Sequence, residues 1–357
     1  MSTEYSLNVG DHAPMVVGAR LSGGFFTLEA CLGRTVVLLV GDRTPVEVRT
    51  EWIERFASRE DVFQSNGADV VMVLTMDADR FNAHVGDESR HIVVAQPGLA
   101  PPGLNGRPHA PDIAVIDRAG RIFEVIRADD AEVGVQCALL ATQRLAPRPS
   151  QVFSAVAPVL MVPNLLDQTL CKGLIAAFEA GDHREGGMAS MDAQGAVTTR
   201  YDETKKRRRD LELTPDHPLH AQVVGVLSHR LAPEILKAFQ VQVAHADRIL
   251  IARYDDTGGY FHRHRDNVAP QVAFRQFAIS LALNAGEYEG GDLEFPEYSD
   301  DLYCPQAGAA LVFSASLLHA ARPVTRGSRY VLLTFVHDDA AETRRVAYEM
   351  ATSAEQA

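Results

Sequence analysis

The apolar pattern of this chain changes character twice, and that change limits the fold more than any single motif. Up to Gln143, short β-branched runs alternate with helix-like stretches. Thr35–Val40 (TVVLLV) and Asp69–Leu74 (DVVMVL) read as strands. Pro45–Ser58 between them has helical spacing and carries Trp52, Ile53 and Phe56. Ile113–Ile116 and Arg121–Ile126 flank Asp117-Arg118-Ala119-Gly120, a hairpin turn, and Ala131–Gln143 reads as a closing helix. That order predicts a small α/β domain. Gln96–Pro111, with five prolines and three glycines, is a surface loop within it. After the proline-bearing stretch Leu145–Ser150 (LAPRPS), the best linker, the pattern turns helical. Asp167–Ala180 has an apolar face of Leu170, Leu174, Ile175 and Phe178, and His217–Phe239 is a longer helix broken or kinked near Pro233. From Ile249 onward strands take over: Ile249–Tyr254, Gln276–Leu283, Gly291–Phe295, Ala309–Phe313 and Tyr330–Val336. Such runs with Gly, Pro and Asp between them predict an antiparallel barrel or sandwich packed on the preceding helices.

Length and charge narrow the function. A chain of 357 residues, 46% hydrophobic and 23% charged, has material for two cores. Its 34 Lys and Arg against 47 Asp and Glu give a net charge of −13, a poor match to nucleic acid or an anionic membrane. The opening Met1–Pro14 shows no basic or apolar leader region, and the apolar runs Thr35–Val40 and Ala155–Pro163 are far shorter than a membrane span. Four scattered cysteines without a CxxC exclude a cysteine zinc site and fit a reducing cytoplasm.

The chemistry concentrates in Tyr254–Asn267 (YDDTGGYFHRHRDN). In an extended segment residues i and i+2 project to one side, so His264 and Asp266 can converge on one point. His319, between the strands Ala309–Phe313 and Tyr330–Val336, is the candidate third ligand. Two imidazoles and one carboxylate on one face of an octahedral ion leave three positions open, the donor set of non-haem Fe(II) oxygenases. Arg329, ten residues beyond His319, can pair bidentately with the carboxylate of a bound co-substrate.

These residues resemble a known family. Tyr254, Gly258, Phe261, His264, Asp266, Gly290-Gly291-Asp292-Leu293, His319, Pro323-Val324 and Gly327-Ser328-Arg329-Tyr330 match, in order and spacing, the prolyl-4-hydroxylase-like Fe(II)/2-oxoglutarate dioxygenases, over roughly Val156 to Asp339. The resemblance implies a double-stranded β-helix, or jelly-roll, with supporting helices. It implies that His264, Asp266 and His319 bind Fe(II), that Arg329 holds the C5 carboxylate of 2-oxoglutarate, and that Tyr254 lies beside that co-substrate. O2 is the second co-substrate and ascorbate an optional reductant. The implied reaction is hydroxylation of an aliphatic carbon, with release of succinate and CO2. The substrate is either an amino-acid-like small molecule or a prolyl or other protein side chain, with a slight lean to the small molecule. A carboxylate at Asp266, rather than the small residue of halogenating relatives, favours hydroxylation.

Blander readings stand beside these. His262 can pair with His264 instead, or face substrate. Arg329 alone would pass for a surface ion-pair residue, and Tyr254 for a packed barrel aromatic. Lys205–Arg209 (KKRRR) lies between Asp202-Glu203 and Asp210, so it reads as a solvated loop or as a substrate-facing loop attracting a carboxylate or phosphate, with nucleic acid a distant third.

The first domain carries its own resemblance. Gly10-Asp11-His12-Ala13-Pro14, the strand Thr35–Val40, Thr44-Pro45-Val46-Glu47-Val48-Arg49-Thr50-Glu51 and the turn Asp117-Arg118-Ala119-Gly120-Arg121 look like a peroxiredoxin, a thioredoxin-like fold. Glu47 stands where that family has its peroxidatic cysteine, and a carboxylate cannot form a sulfenic acid. Cys31 and Cys137 are off the motif and read as small packed residues. The expectation is therefore an α+β protein with a non-catalytic thioredoxin-like α/β domain over residues 1–146, a dioxygenase domain over 151–340, and a tail over 341–357 with one terminal helix. The first domain supports the oxygenase, binds substrate or mediates a homodimer. The rival classes are a peroxide-handling redox protein and an O2 or 2-oxoglutarate sensor whose iron site does not turn over.

Overall fold

The computed structural model describes residues 7–74, 92–95, 103–104, 106–191 and 197–355. The chain divides into two compact units, 1–151 and 152–357. Residues 96–102 and 105 of the proline-rich loop lie outside the described residues.

In the first unit a seven-stranded sheet forms from β1 (Val17–Arg20), β2 (Phe25–Thr27), β3 (Thr35–Val40), β4 (Ala68–Leu74), β5 (Ile92–Ala95), β6 (Asp112–Ile116) and β7 (Ile122–Ile126), in the order β2-β1-β5-β4-β3-β6-β7. β3 runs parallel to β4 and β4 to β5, while β6 and β7 return antiparallel. All six residues of β3 are buried, as its unbroken β-branched run requires. Val37 and Leu39 enter one core; Val36, Leu38 and Val40 enter the core on the opposite face. Helices α1 (Val46–Ala57), α2 (Glu60–Ser65) and α3 (Ala131–Arg144) cover the first face through Trp52, Phe56, Phe63 and Val135. Asp130 caps α3 by accepting the Val133 N–H at 3.0 Å. The hairpin turn after β6 closes on Gly120 at φ +87°, a conformation that favours glycine.

The second unit is a two-sheet antiparallel sandwich of jelly-roll type. It begins with β8 (Val159–Val162) and α4 (Gln168–Ala180), the latter capped by Asp167. β9 (Arg184–Glu185), the hairpin β10 (Met188–Met191) and β11 (Val197–Arg200), β12 (Lys206–Arg207) and β13 (Arg209–Glu212) follow. The helical stretch expected from His217, broken or kinked near Pro233, is α5 (His220–Val226), a wide π turn over Leu227–Leu231, and α6 (Ala232–Phe239). Pro233 sits in the first turn of α6, where its missing N–H removes a rung and the ladder widens. The remaining elements are β14 (His245–Ala246), β15 (Leu250–Asp255), β16 (Tyr260–His264), β17 (Phe277–Ala282), β18 (Glu289–Gly290), β19 (Leu293–Glu294), β20 (Leu302–Tyr303), β21 (Ala310–Ser314), β22 (His319–Ala321), β23 (Val324–Arg326), β24 (Ser328–His337) and α7 (Asp339–Glu355).

The large sheet runs β8-β21-β17-β24-β15-β13-β9 and the small one β12-β16-β22-β19-β20. Side-chain alternation sorts the large sheet's residues. Ile279, Leu281, Val312 and Leu332 face the helices, while Ala278, Leu311, Phe313 and Val331 face the space between the sheets. The strand expected at Gly291–Phe295 shortens to Leu293–Glu294, because Gly290 and Gly291 adopt φ +75° and +73° and turn the chain. The run from Asp339 is one long helix, and its Ala341 is fully buried, so the segment after residue 340 packs onto the unit.

Candidate metal and co-substrate site

β16 and β22 pair antiparallel with His264 directly opposite His319. That register places two imidazoles on one face of the small sheet, although 55 positions separate them in sequence. Asp266 lies just past the end of β16, and its N–H donates to the Ala315 carbonyl at 2.9 Å. The Asp266 carboxylate reaches both rings, Oδ1 at 3.4 Å from His264 Nε2 and Oδ2 at 3.4 Å from His319 Nε2. One donor atom from each of the three lies within 4.8 Å of the others.

The ring orientations suit metal binding. His264 Nδ1 donates to the His262 carbonyl at 2.7 Å, and His319 Nδ1 to the Leu317 carbonyl at 3.0 Å. A carbonyl can only accept, so each Nδ1 carries hydrogen, and each Nε2 is the ring atom turned to the shared point. Burial pushes the His319 imidazole down to about 4, against the attraction of Asp266, so the ring is neutral. Burial alone would raise the Asp266 carboxyl; His319, His264 and Arg275 outweigh it and hold it at about 2. A neutral His319 imidazole and an ionised Asp266 carboxylate are donors of the deprotonated kind that a divalent metal needs. Phe261 stacks on the His264 ring at 3.4 Å, and Phe313 meets His319 edge-on at 4.6 Å, which fixes both.

The three donors line a cavity of about 580 Å³ between the sheets. Arg329 and Tyr254 line the same cavity. They are cross-strand neighbours on β24 and β15, and the Arg329 guanidinium lies 5.1 Å from the Tyr254 ring centre. Arg329 is 4% exposed, and its charge works against the burial that raises the Tyr288 hydroxyl. Gly291 leaves the space for it: a Cβ there would stand 2.8 Å from Arg329 Cδ. His262 is exposed at the cavity, with its ring 4.5 Å from Tyr260 and its carbonyl committed to His264. Its side chain is not one of the three grouped donors.

The basic run holds what the sequence reading left undecided. Lys206 and Arg208 point into the cavity, their side chains 3% and 8% exposed. Arg208 Nη1 donates to the Tyr254 hydroxyl at 3.0 Å, and its Nε lies 2.7 Å from Asp210 Oδ1. Lys206 Nζ donates to the Gly187 carbonyl at 2.8 Å and lies 3.7 Å from Asp210 Oδ2. Alternate residues 206, 208 and 210 turn inward while 205, 207 and 209 are exposed.

A fold of this kind, with these donors at one point, defines a class. Residues 249–337 match the family model of the 2OG-Fe(II) oxygenase superfamily. The chain is a 2-oxoglutarate-dependent dioxygenase, with Fe(II), 2-oxoglutarate and O2 as its metal and co-substrates. Within that class it is prolyl-4-hydroxylase-like. It is 28% identical over 172 residues to a PKHD-type hydroxylase of Stutzerimonas stutzeri, covering 44% of this chain and 73% of that one. A PKHD-type hydroxylase of Pseudomonas putida is 29% identical over 212 residues, 56% of this chain and 87% of the other. Among solved structures, a Pseudomonas putida prolyl-4-hydroxylase overlaps 51% of this chain and 94% of its own, at 20% identity and a TM-score of 0.39. A prolyl hydroxylase from Trichoplax adhaerens, in complex with a hypoxia inducible factor peptide fragment, overlaps 54% and 87% at 14% identity and a TM-score of 0.41.

Proposed function

We propose that the second unit hydroxylates an aliphatic carbon, with His264, Asp266 and His319 holding Fe(II) and Arg329 gripping the C5 carboxylate of 2-oxoglutarate. The observation that carries this is the convergence of three donor atoms within 4.8 Å in a cavity that also holds a buried guanidinium. When bound, iron and its co-substrates supply the oxidative chemistry: one oxygen atom of O2 enters a substrate C–H bond, the other leaves in succinate, and CO2 departs. The chain's residues supply position. The two carbonyl-locked imidazoles and Asp266 would hold the ion, and the cavity they line would receive the co-substrates. Arg329 presents a planar fork to a carboxylate, with Tyr254 beside it. Leu293, Phe313 and Ala321 keep water from the far wall.

The names of the relatives support a hydroxylase. An amino-acid-like small molecule is the favoured substrate and a protein side chain the other. The first unit we read as a thioredoxin-like module without thiol chemistry. Glu47 occupies the first turn of α1, and burial, then Asp69, raise the Cys31 thiol, which disfavours a reactive thiolate. The four free cysteines support a cytoplasmic setting. Among the described residues no helix is long and apolar enough to cross a membrane. The test is succinate release with Fe(II), 2-oxoglutarate and ascorbate, for the parent and for His264→Ala. Release that depends on His264 supports the assignment. A parent protein that consumes hydrogen peroxide with a thiol reductant, yet never converts 2-oxoglutarate, overturns it.

A further inference from the structure

The second unit belongs to a chain of net charge −13, yet eight Lys and Arg side chains line its cavity against a single carboxylate, Asp266. Several are already matched. Arg263 pairs with Glu294 at 3.1 Å, Arg265 with Glu297 at 2.6 Å, and Arg275 with Asp247 at 2.5 Å. Lys206 and Arg208 share one carboxylate, Asp210. On the reading above, Arg329 takes the C5 carboxylate of 2-oxoglutarate. Lys205 and Arg248, both exposed, then remain in the cavity lining with no carboxylate paired to either side chain among the described residues. Arg248 is placed by its neighbours. Its own backbone N–H is held by Asp247 Oδ1 at 2.7 Å, and the other oxygen of that carboxylate braces Arg275. Arg275 in turn donates to the Asp266 carbonyl at 3.4 Å. Arg248 also lies near enough to Lys206 to disfavour its charge, adding to burial and to Arg208. It is thus an exposed cation of the cavity lining, near Lys206 and next in the chain to the carboxylate that braces Arg275.

We propose that the substrate is a small molecule carrying its own carboxylate, distinct from those of 2-oxoglutarate, and that Arg248 receives that group with Lys205 and Lys206 around it. Cations that outnumber their counter-ions in the lining of one cavity attract an anion into it. A planar guanidinium fork suits a carboxylate, held by two parallel hydrogen bonds. Anchored at Arg248 by its acid end, such a substrate extends its aliphatic part inward, past Phe261, to the three donors.

This inference rests on the oxygenase reading, and the experiment separates the two. Purified protein, Fe(II), 2-oxoglutarate and ascorbate are incubated with small-molecule extract of the source organism. The extract is used untreated, after amidation of its carboxylates, or after phosphatase treatment, with 2-oxoglutarate added last. The expected result is a product heavier by one oxygen atom from the untreated and phosphatase-treated extracts, and none from the amidated one. Arg248→Gln, a change at an exposed position, should raise the concentration of extract needed for half-maximal product about 10- to 100-fold, more than it raises the 2-oxoglutarate requirement. Oxygenation that survives amidation, or is lost only after phosphatase treatment, overturns the proposal. So does an equal effect of Arg248→Gln on both requirements. Conversion of 2-oxoglutarate without any oxygenated small molecule also overturns it, pointing to a macromolecular substrate. Absence of any 2-oxoglutarate conversion refutes the oxygenase reading itself.

Discussion

Replacing Arg329 by alanine tests the co-substrate assignment most directly. The side chain is 4% exposed, stands beside Tyr254 across the β15–β24 pairing, and has no carboxylate paired to it among the described residues. Phe313 and Leu333 line the same cavity, and the guanidinium itself is buried. A charge-assisted bidentate pair made there is only weakly screened. Truncating one partner of such a pair costs about 2–4 kcal/mol. At about 1.4 kcal/mol per tenfold, the 2-oxoglutarate concentration for half-maximal succinate release should rise roughly 30- to 700-fold. Arg329→Lys keeps the charge and loses the fork, so its rise should be smaller, on the order of tenfold. Gly291→Ala is an independent probe. Its new Cβ would stand 2.8 Å from Arg329 Cδ and push the guanidinium away without removing it. It should raise the same requirement, less than alanine at 329 does. The assay is a 2-oxoglutarate titration following succinate, with thermal unfolding as a check on folding. A folded Arg329→Ala whose requirement stays within about twofold of the parent would refute the assignment. The co-substrate carboxylate would then belong to Arg208, whose side chain is 8% exposed and whose hydrogen bond to the Tyr254 hydroxyl puts it in the same cavity.

Asp266→Ala should weaken Mn(II) or Fe(II) binding by at least about 100-fold, since even indirect partners of metal ligands are worth 10–100-fold; calorimetric titration of the metal measures it. Chelation of the wild-type metal should abolish succinate release and lower the thermal midpoint of the second unit, because a ligand at 100 times its Kd contributes about 2.7 kcal/mol to folding. Acid should loosen the α7 attachment. Arg345 and then His337 hold the Glu342 carboxyl at about 2, below its unfolded value of about 4.3, so its contribution is present above that value and is lost as pH falls from about 4.3 towards 2. Glu342→Gln should flatten that limb in circular dichroism; an unchanged acid limb would remove Glu342 from the account. Gly134→Ala in α3 should destabilise the first unit by about 1–3 kcal/mol, because its Cβ would overlap the Trp52 ring. Trp52 is the only tryptophan, so its fluorescence reports that unit alone.

What could be read from the sequence was what depends on short range. The β-type runs at Thr35–Val40, Gln276–Leu283 and Tyr330–Val336 became β3, β17 and β24, because a strand buried on both faces has little freedom to carry anything but β-branched and aliphatic residues. The spacing of His264 and Asp266 was equally local. Strand register was not. Nothing within the stretches around residues 264 and 319 states that they pair, and the geometry of the three donors exists only because β16 and β22 align His264 with His319. The inward turn of Lys206, Arg208 and Asp210 was hidden for a related reason. KKRRR is uniform in charge, so its alternation has no polarity contrast to display, and its inward residues are recognisable only by the neighbours they meet: Gly187, Tyr254 and each other. Charge that is buried carries a cost unless something answers it. A solvated surface loop has no such cost, so the same five letters mean either a harmless loop or a binding wall. The difference is decided by β12, which pairs Lys206 with Phe261 and brings the ammonium to 5.1 Å from the ring that stacks on His264.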